Sequence, residues 1–153
     1  MVQTFRLKSP SIGLLIRRYE PNDLTLLNFE NANPLEHGEW LTINATNKVV
    51  RAANPGVRPG PFVLWSEKGR SDTQGARKVP LIMGGTFLGE TKIFNTAAPP
   101  ALGAILEVAD VTYLTLTKSG LQTHAAGANP VIGQVIRTAA SNGDWLQFLY
   151  TAS

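Results

Sequence analysis

The segment PVIGQVIRTAASNGDWLQFLY, residues 130–150, contains the two clearest strand patterns of the chain. Val131–Thr138 and Asp144–Tyr150 are short runs rich in β-branched, aliphatic and aromatic side chains, which favour strands. Asn142-Gly143 lies between them, and this dipeptide readily adopts the positive φ angles of a tight hairpin turn. The sequence therefore predicts an antiparallel hairpin in this segment.

The second strand of this hairpin has two unequal faces. Its side chains alternate between two sets, Leu146, Phe148 and Tyr150 on one side and Trp145, Gln147 and Leu149 on the other. Because successive side chains of a strand point to opposite faces, we expect the first set to line the core. The second set is not fully polar, which predicts that another subunit or a partner covers part of that face.

Similar short runs, separated by Gly, Pro and Asn, extend back to residue 38. These further candidate strands are Glu39–Ile43, Lys48–Arg51, Phe62–Ser66, Val79–Met83, Thr86–Leu88, Thr91–Phe94, Ala104–Val108 and Val111–Leu116. Runs of this length with turn residues between them are typical of all-β folds. We expect residues 38–153 to form one domain, either a small β-barrel or β-tulip or a sandwich of short antiparallel strands.

Two segments of this domain share a pattern. Pro100–Leu106 and Pro130–Ile136, thirty positions apart, both follow the order Pro, any residue, apolar, Gly, any residue, apolar, apolar. One interpretation is a pair of similar strand entries, in which Pro begins the strand and Gly permits a bulge or a close backbone approach. The other is chance similarity.

Residues 1–37 differ from the rest of the chain. Pro10, Pro21 and Pro34 interrupt them, and several asparagines disfavour helix, yet the segment carries many apolar side chains. We expect an extended N-terminal arm that packs on its own barrel, on a sister subunit or on a host surface, with part of it reaching outward.

The composition excludes several classes of site. The chain has 153 residues, no Cys and only two histidines, so disulfide frameworks, iron–sulfur clusters, thiolate zinc sites, cysteine nucleophiles and three-histidine metal sites are excluded. Charged residues make up 16% of the chain, against about 25% in average soluble domains. Much of the surface is therefore covered by uncharged side chains.

The positive charge is concentrated in the middle of the chain. Residues 41–80 carry seven basic and two acidic side chains, whereas residues 21–40 carry four acidic and no basic ones. The basic stretch is either a docking surface for an acidic partner or a solvated loop. Nucleic-acid binding is not expected, because these basic residues lie among Pro and Gly with few aromatic side chains between them.

No catalytic motif emerges from the sequence. A Gly-x-Ser-x-Gly elbow and both glycine-rich phosphate-binding patterns are absent. The densest group of acid–base residues, Glu36-His37-Gly38-Glu39, lies in an Asn/Pro/Gly loop where adjacent side chains seldom converge on one point. His124 is expected at a surface or interface. We therefore expect a protein that is not an enzyme and that has no cofactor and no metal site.

No membrane-spanning or secretory segment is expected. The apolar run Ile12–Ile16 is far shorter than the ~20 residues that a spanning helix needs. Arg17 and Arg18 follow it where a signal peptide would have a small-residue cleavage site. We expect a soluble protein made in a cytoplasm.

The C-terminal half resembles the capsid decoration, or cement, proteins of tailed bacteriophages. The resemblance covers residues 80–153 and is carried by Gly84-Gly85-Thr86-Phe87-Leu88-Gly89, Pro130-Val131-Ile132-Gly133-Gln134-Val135 and Asn142-Gly143-Asp144-Trp145-Leu146-Gln147-Phe148. It implies a small β-barrel or β-tulip that binds the outer surface of the phage head. It also implies a homo-oligomer, a trimer or a dimer, that clamps neighbouring capsomers of the major capsid protein and stabilises the mature shell.

Three function classes remain open: this virion role, a phage tail or fibre β domain whose tryptophans contact a receptor or glycan, and a small β-barrel enzyme with a dispersed site. The first is the preferred hypothesis, with no nucleic acid and no membrane as partner. The residues expected at the capsid or subunit interface are Phe5, Leu7, Leu14, Leu15, Ile16, Arg17, Arg18, Leu27, Phe29, Arg58, Lys68, Arg70, Arg77 and Lys78.

Overall fold

A computed structural model describes residues 4–27, 30–51, 60–65, 78–125, 127, 129–141 and 144–151. These residues form strands and one short 3-10 turn, Leu24–Leu27. The strands are β1 Phe5–Tyr19, β2 Trp40–Ile43, β3 Val49–Arg51, β4 Phe62–Leu64, β5 Val79–Thr91, β6 Ile105–Tyr113, β7 Leu116–Thr123, β8 Gly133–Arg137 and β9 Leu146–Thr151. The all-β prediction is confirmed.

All these strands belong to one antiparallel sheet that nearly closes into a barrel. Its order is β3-β2-β4-β5-β9-β8-β6-β7, and β1 pairs with β5 outside this path. Closure comes from the chain just after β5: the amide of Asn95 donates to the carbonyl of Leu121 on β7 at 2.9 Å. The core of the barrel lies between β5, β9, β8, β6 and β7.

Strand β5 is one long strand, so the prediction of two separate strands, Val79–Met83 and Thr86–Leu88, is wrong, and the predicted strand Thr91–Phe94 contributes only Thr91 to it. The glycines that suggested breaks instead allow close packing inside the strand. A Cβ on Gly85, at φ +105°, would lie 2.7 Å from the carbonyl oxygen of Ile12 on β1. A Cβ on Gly89 would lie 2.8 Å from the Phe148 ring on β9. These glycines therefore let both neighbouring strands approach β5.

The boundaries after β5 also differ from the prediction. Ala104–Val108 and Val111–Leu116 were predicted as two strands, but Ile105–Tyr113 is continuous and turns at Leu114, where φ is +56°. The next strand, β7, was not predicted. Its sequence contains Lys118 and Ser119, which are fully buried polar residues, so its pattern does not follow the usual alternation.

The two strands of the opening segment pair as predicted. β8 and β9 are antiparallel, and the last paired residues are Arg137 and Gln147. Leu146, Phe148 and Tyr150 are buried, as their alternation predicts, while Leu149 is exposed. The expected Asn142-Gly143 turn lies outside the described residues.

The two repeated segments lie side by side. Ile105 pairs with Gln134 and Leu106 with Gly133, so one copy of the pattern forms an antiparallel ladder with the other. The Gly in the second copy serves a close approach, because a Cβ on Gly133 would be 2.1 Å from the carbonyl oxygen of Leu149. The Gly in the first copy, Gly103, lies in a turn at φ +81°.

Part of the predicted N-terminal arm packs on the chain's own sheet. β1 runs antiparallel to β5 from the pair Phe5–Thr91 to the pair Tyr19–Val79, with three irregularities in register. Packing on the chain's own barrel was one of the three arrangements expected for the arm. Its outward reach towards a partner stays a prediction.

Two groups of buried side chains form the core. The larger is aromatic and fills the barrel; it consists of Phe5, Trp40, Val63, Ile82, Phe87, Phe94, Leu106, Val108, Leu121, Ile132, Val135, Leu146, Phe148 and Tyr150. The smaller lies under the loop that follows β1 and consists of Leu27, Leu35, Leu41, Ile43, Val49, Leu64, Val79 and Leu81. In the larger group, the rings of Phe87 and Tyr150 stack with centroids 4.7 Å apart.

Candidate docking face

The outward side chains of β1, β5, β9, β8 and the start of β6 form one continuous surface, called here the outer face. Strand register places Arg6 beside Glu90, Glu90 beside Gln147 and Gln147 beside Arg137. We name this line of four residues the charged row. The next line, the aliphatic row, consists of Lys8, Leu88, Leu149, Gln134 and Ile105.

A bulge in β8 shapes the end of the charged row. Val135 pairs with Phe148 and Arg137 pairs with Gln147, so Ile136 is an extra residue between them. An extra residue shifts the alternation of a strand. Consequently Ile136 and Arg137 are both exposed, and an aliphatic and a basic side chain stand next to each other on the outer face.

Glu90 is the centre of a cationic cluster. Nη2 of Arg137 donates to its Oε2 at 2.6 Å, while Oε1 lies 3.5 Å from Nζ of Lys8 and 3.6 Å from Nη1 of Arg6. These long side chains cover the carboxylate, which leaves Glu90 only 4% exposed. Side chains of the bases remain accessible, at 43% for Arg6, 45% for Lys8 and 61% for Arg137.

Trp145, the residue before β9, extends this cluster. The guanidinium carbon of Arg6 lies 3.9 Å from the centroid of its ring, and Nζ of Lys92 lies 5.0 Å from it. Both distances are within the range of cation–π attraction. The Trp145 ring therefore helps to hold two cations of the cluster in place.

Asp144 is the second acid near this cluster. Hydrogen bonds from the amides of Trp145 and Ala140 lower the pKa of its carboxyl, and the charges of Arg137 and Lys92 add to that effect. With Arg6, Lys8, Lys92 and Arg137 against Glu90 and Asp144, the cluster has a formal charge of +2.

The other side of the outer face is aliphatic. Ile105 and Leu149 of the aliphatic row are 49% and 37% exposed, and they flank the polar side chain of Gln134. Three further exposed aliphatic residues occur on the segments that lead into β6 and through β8, namely Leu102, Val131 and Ile136. Apolar side chains next to Arg and Trp form a composition that is enriched in protein–protein interfaces.

The interface residues expected from the sequence are distributed between surface and core. Leu15, Ile16, Arg17, Arg18 and Lys78 are exposed. Leu7 and Leu14 are half-buried against the barrel core. Phe5 and Leu27 are buried in the monomer's own core, so their side chains present no surface to a partner. The remaining candidates, Phe29, Arg58, Lys68, Arg70 and Arg77, lie outside the described residues.

The Glu36–Glu39 group belongs to a buried ion network. Glu39 is fully buried, and its Oε1 accepts a 2.8 Å hydrogen bond from Nε of Arg51. Nζ of Lys118, also fully buried, lies 3.9 Å from its Oε2 and donates to the carbonyl of Pro34. The amide of Glu36 donates to the same carboxylate at 2.7 Å. This network attaches the loop before β2 to the barrel.

His124 contacts a second buried carboxylate. Its Nδ1 lies 3.0 Å from Oε1 of Glu107, and that oxygen also accepts a hydrogen bond from the amide of Ala125. Oε2 of Glu107 accepts hydrogen bonds from the side chains of Gln122 and Asn129. Burial raises the pKa of Glu107, but these hydrogen bonds and the His124 charge outweigh it and lower the pKa. The pair thus anchors the loop after β7.

Among the described residues, no group of three or more His, Asp or Glu side chains is placed to hold a metal ion. A small open cavity of about 90 Å³ lies where β4 and β9 diverge from β5, lined by residues that include Phe62, Met83, Val131 and Tyr150. No described helix is long and apolar enough to span a membrane.

The outer face was identified by neither motif nor composition. Its residues come from β1, β5, β8 and β9, and only the strand register brings them together. The one available signal was the incompletely polar set Trp145, Gln147 and Leu149, which predicted a covered face. Comparison with protein-family models, with curated proteins and with solved structures found no match.

Proposed function

We propose that this chain is a capsid decoration protein that binds as a homo-oligomer to the outside of a phage head. The observation that carries the proposal is the outer face, where Ile105 and Leu149 are exposed beside the charged row and the neighbouring Trp145. Such a surface suits adhesion to protein rather than catalysis. The resemblance of residues 80–153 to cement proteins supplies the identity of the host surface.

The aliphatic row would supply part of the binding energy. Burying a fully exposed aliphatic side chain contributes about 1.5–3 kcal/mol, and a partly exposed one contributes in proportion to its exposed area. A stable interface buries about 800 Å² on each partner. Ile105, Leu149, Ile136 and Leu102 lie on neighbouring segments, and together they offer an apolar centre for such an area.

Oligomerisation would strengthen attachment to the shell. Several copies held together engage several capsomers at once, so individually modest contacts act at a high effective concentration. A clamp that binds the expanded lattice better than the precursor lattice stabilises the mature shell by linkage. This mechanism needs neither a cofactor nor a catalytic group.

A glycan-binding tail domain is the second hypothesis, and the geometry at Trp145 disfavours it. A sugar-binding tryptophan presents an open ring face, whereas the guanidinium of Arg6 lies 3.9 Å from this ring centroid. A sugar on that face of the ring would have to displace Arg6. An open ring at Trp145 in a glycan complex would restore this hypothesis.

The proposal is tested by charging the aliphatic row. The double variant Ile105→Asp/Leu149→Asp should weaken binding to expanded heads that lack the protein by at least about tenfold, because two aspartates cannot be desolvated in an apolar contact. Leu24→Asp/Leu114→Asp is the matched control, since it adds the same two charges at residues that are 39% and 53% exposed but lie in the turn after β1 and at the opposite end of β6. Binding is measured by co-sedimentation with heads, and oligomer size by sedimentation velocity. Wild-type protein that leaves the heads bare, or a double variant that binds like the control, would contradict the proposal.

A further inference from the structure

Among the described residues, the cluster around Glu90 holds more bases than acids. Three bases, Arg6, Lys8 and Arg137, share the carboxylate of Glu90, and Lys92 lies beside them at Trp145. Like charges gathered on one side of a sheet repel one another. An anionic partner would relieve that repulsion.

We propose that this cluster is a docking site for a carboxylate-rich, extended polypeptide segment of a partner protein. The inference deepens the proposed function, because a decorated shell would supply such a segment. It differs from the sequence-based expectation, which placed the basic docking surface in residues 41–80. Of the three described bases of that stretch, Arg51 is bound to Glu39 and Lys48 to Glu20, and Lys78 is exposed.

The charged ends of the bases converge on one point of the outer face. Nη1 of Arg6 and Nζ of Lys8 lie 3.6 and 3.5 Å from Oε1 of Glu90, and Nη2 of Arg137 lies 2.6 Å from its Oε2. Successive side chains on one side of an extended peptide are two residues, or about 7 Å, apart. Neighbouring carboxylates of one extended segment can therefore contact two of these bases at the same time.

The surroundings of the cluster favour a polypeptide over a nucleic acid. Single-stranded nucleic acids are bound by several aromatic side chains that stack on successive bases, whereas Trp145 is the sole aromatic residue at the cluster among the described residues. The adjoining aliphatic row, with Leu88 and Leu149, offers apolar contacts that suit the side chains of a peptide. Arg side chains also bind carboxylates in a directional, two-pronged manner.

The probe for the test is a synthetic peptide of alternating Glu and Ala, titrated into the full-length protein. We expect saturable binding that weakens as salt is raised, with a change in tryptophan fluorescence when carboxylates compete for the Arg6 stacked on Trp145. The variant Lys8→Ala/Arg137→Ala should bind about tenfold more weakly, because two charge-assisted contacts are lost. Arg18→Ala/Lys78→Ala is the matched control: it removes the same charge from two exposed residues at the far end of β1 and β5, and should bind like wild type.

The outcomes separate this inference from the proposed function. Equal binding by both double variants, or tighter binding of an oligothymidylate of equal charge than of the peptide, would overturn the inference. The variant Glu90→Gln should have the opposite effect on affinity: removing the central negative charge should strengthen peptide binding. Peptide binding without attachment to heads would support the docking site and refute the decoration role. Attachment to heads without peptide binding would support the decoration role and refute the docking site.

Discussion

Replacing Glu39 with Ala should lower the free energy of unfolding by about 3–5 kcal/mol, because it removes one member of a buried ion network. Both Glu39 and Lys118 are fully buried, and Arg51 donates to Glu39 at 2.8 Å. Without the carboxylate, Lys118 keeps its positive charge at a fully buried position, and the partly buried Arg51 loses its acidic partner. Equilibrium urea unfolding, followed by tryptophan fluorescence, measures the loss.

Variants of Lys118, the buried base near Glu39, serve as controls for this prediction. Lys118→Met should cost less than Glu39→Ala, because Glu39 keeps its contact with Arg51 and the hydrogen bond from the amide of Glu36. The double variant Glu39→Leu/Lys118→Met should recover part of the loss, since buried ion pairs are often replaceable by apolar residues of similar volume. A loss below about 1 kcal/mol for Glu39→Ala, the level of an exposed ion pair, would contradict this account of the network.

Replacing Gly133 with Ala should destabilise the protein by about 3 kcal/mol, at the upper end of overpacking effects. The added Cβ would lie 2.1 Å from the carbonyl oxygen of Leu149, so β8 and β9 would have to separate. Backbone atoms cannot move aside as the end of a flexible side chain can. The loss is measured by the same urea unfolding assay.

Gly84→Ala is the matched control for this variant. It also lies within a strand, but its added Cβ would meet Leu15 at 3.7 Å, which is an ordinary contact distance. We expect its effect to be within about 1 kcal/mol of wild type. Equal destabilisation by the two substitutions would show that strand glycines matter for a reason other than the close approach at Gly133.

The sequence predicted the strands whose burial alternates. β9 is the clearest case, because Leu146, Phe148 and Tyr150 alternate with exposed or half-buried residues. β1 was not recognised as a strand because Pro10 interrupts it and three irregularities in its register break the alternation. β7 was missed because its buried residues include Lys118, whose place in the core depends on a carboxylate more than seventy positions earlier.

The candidate site was less predictable than the fold for a physical reason. A face that crosses strands is defined by register, and register follows from pairings between residues distant in sequence, such as Arg6 with Glu90. Local composition pointed instead to the basic stretch of residues 41–80. Only Trp145 and Leu149, as the incompletely polar side of β9, indicated that the outer face was a surface for contact.

The most direct test of the account is a cryo-electron microscopy reconstruction of expanded heads to which the protein has been added. We expect ordered copies on the outside of the shell, with Ile105, Leu149 and the charged row within contact distance of a capsomer or a neighbouring copy. Heads without added density, or attached copies whose outer face is turned entirely to solvent, would contradict it.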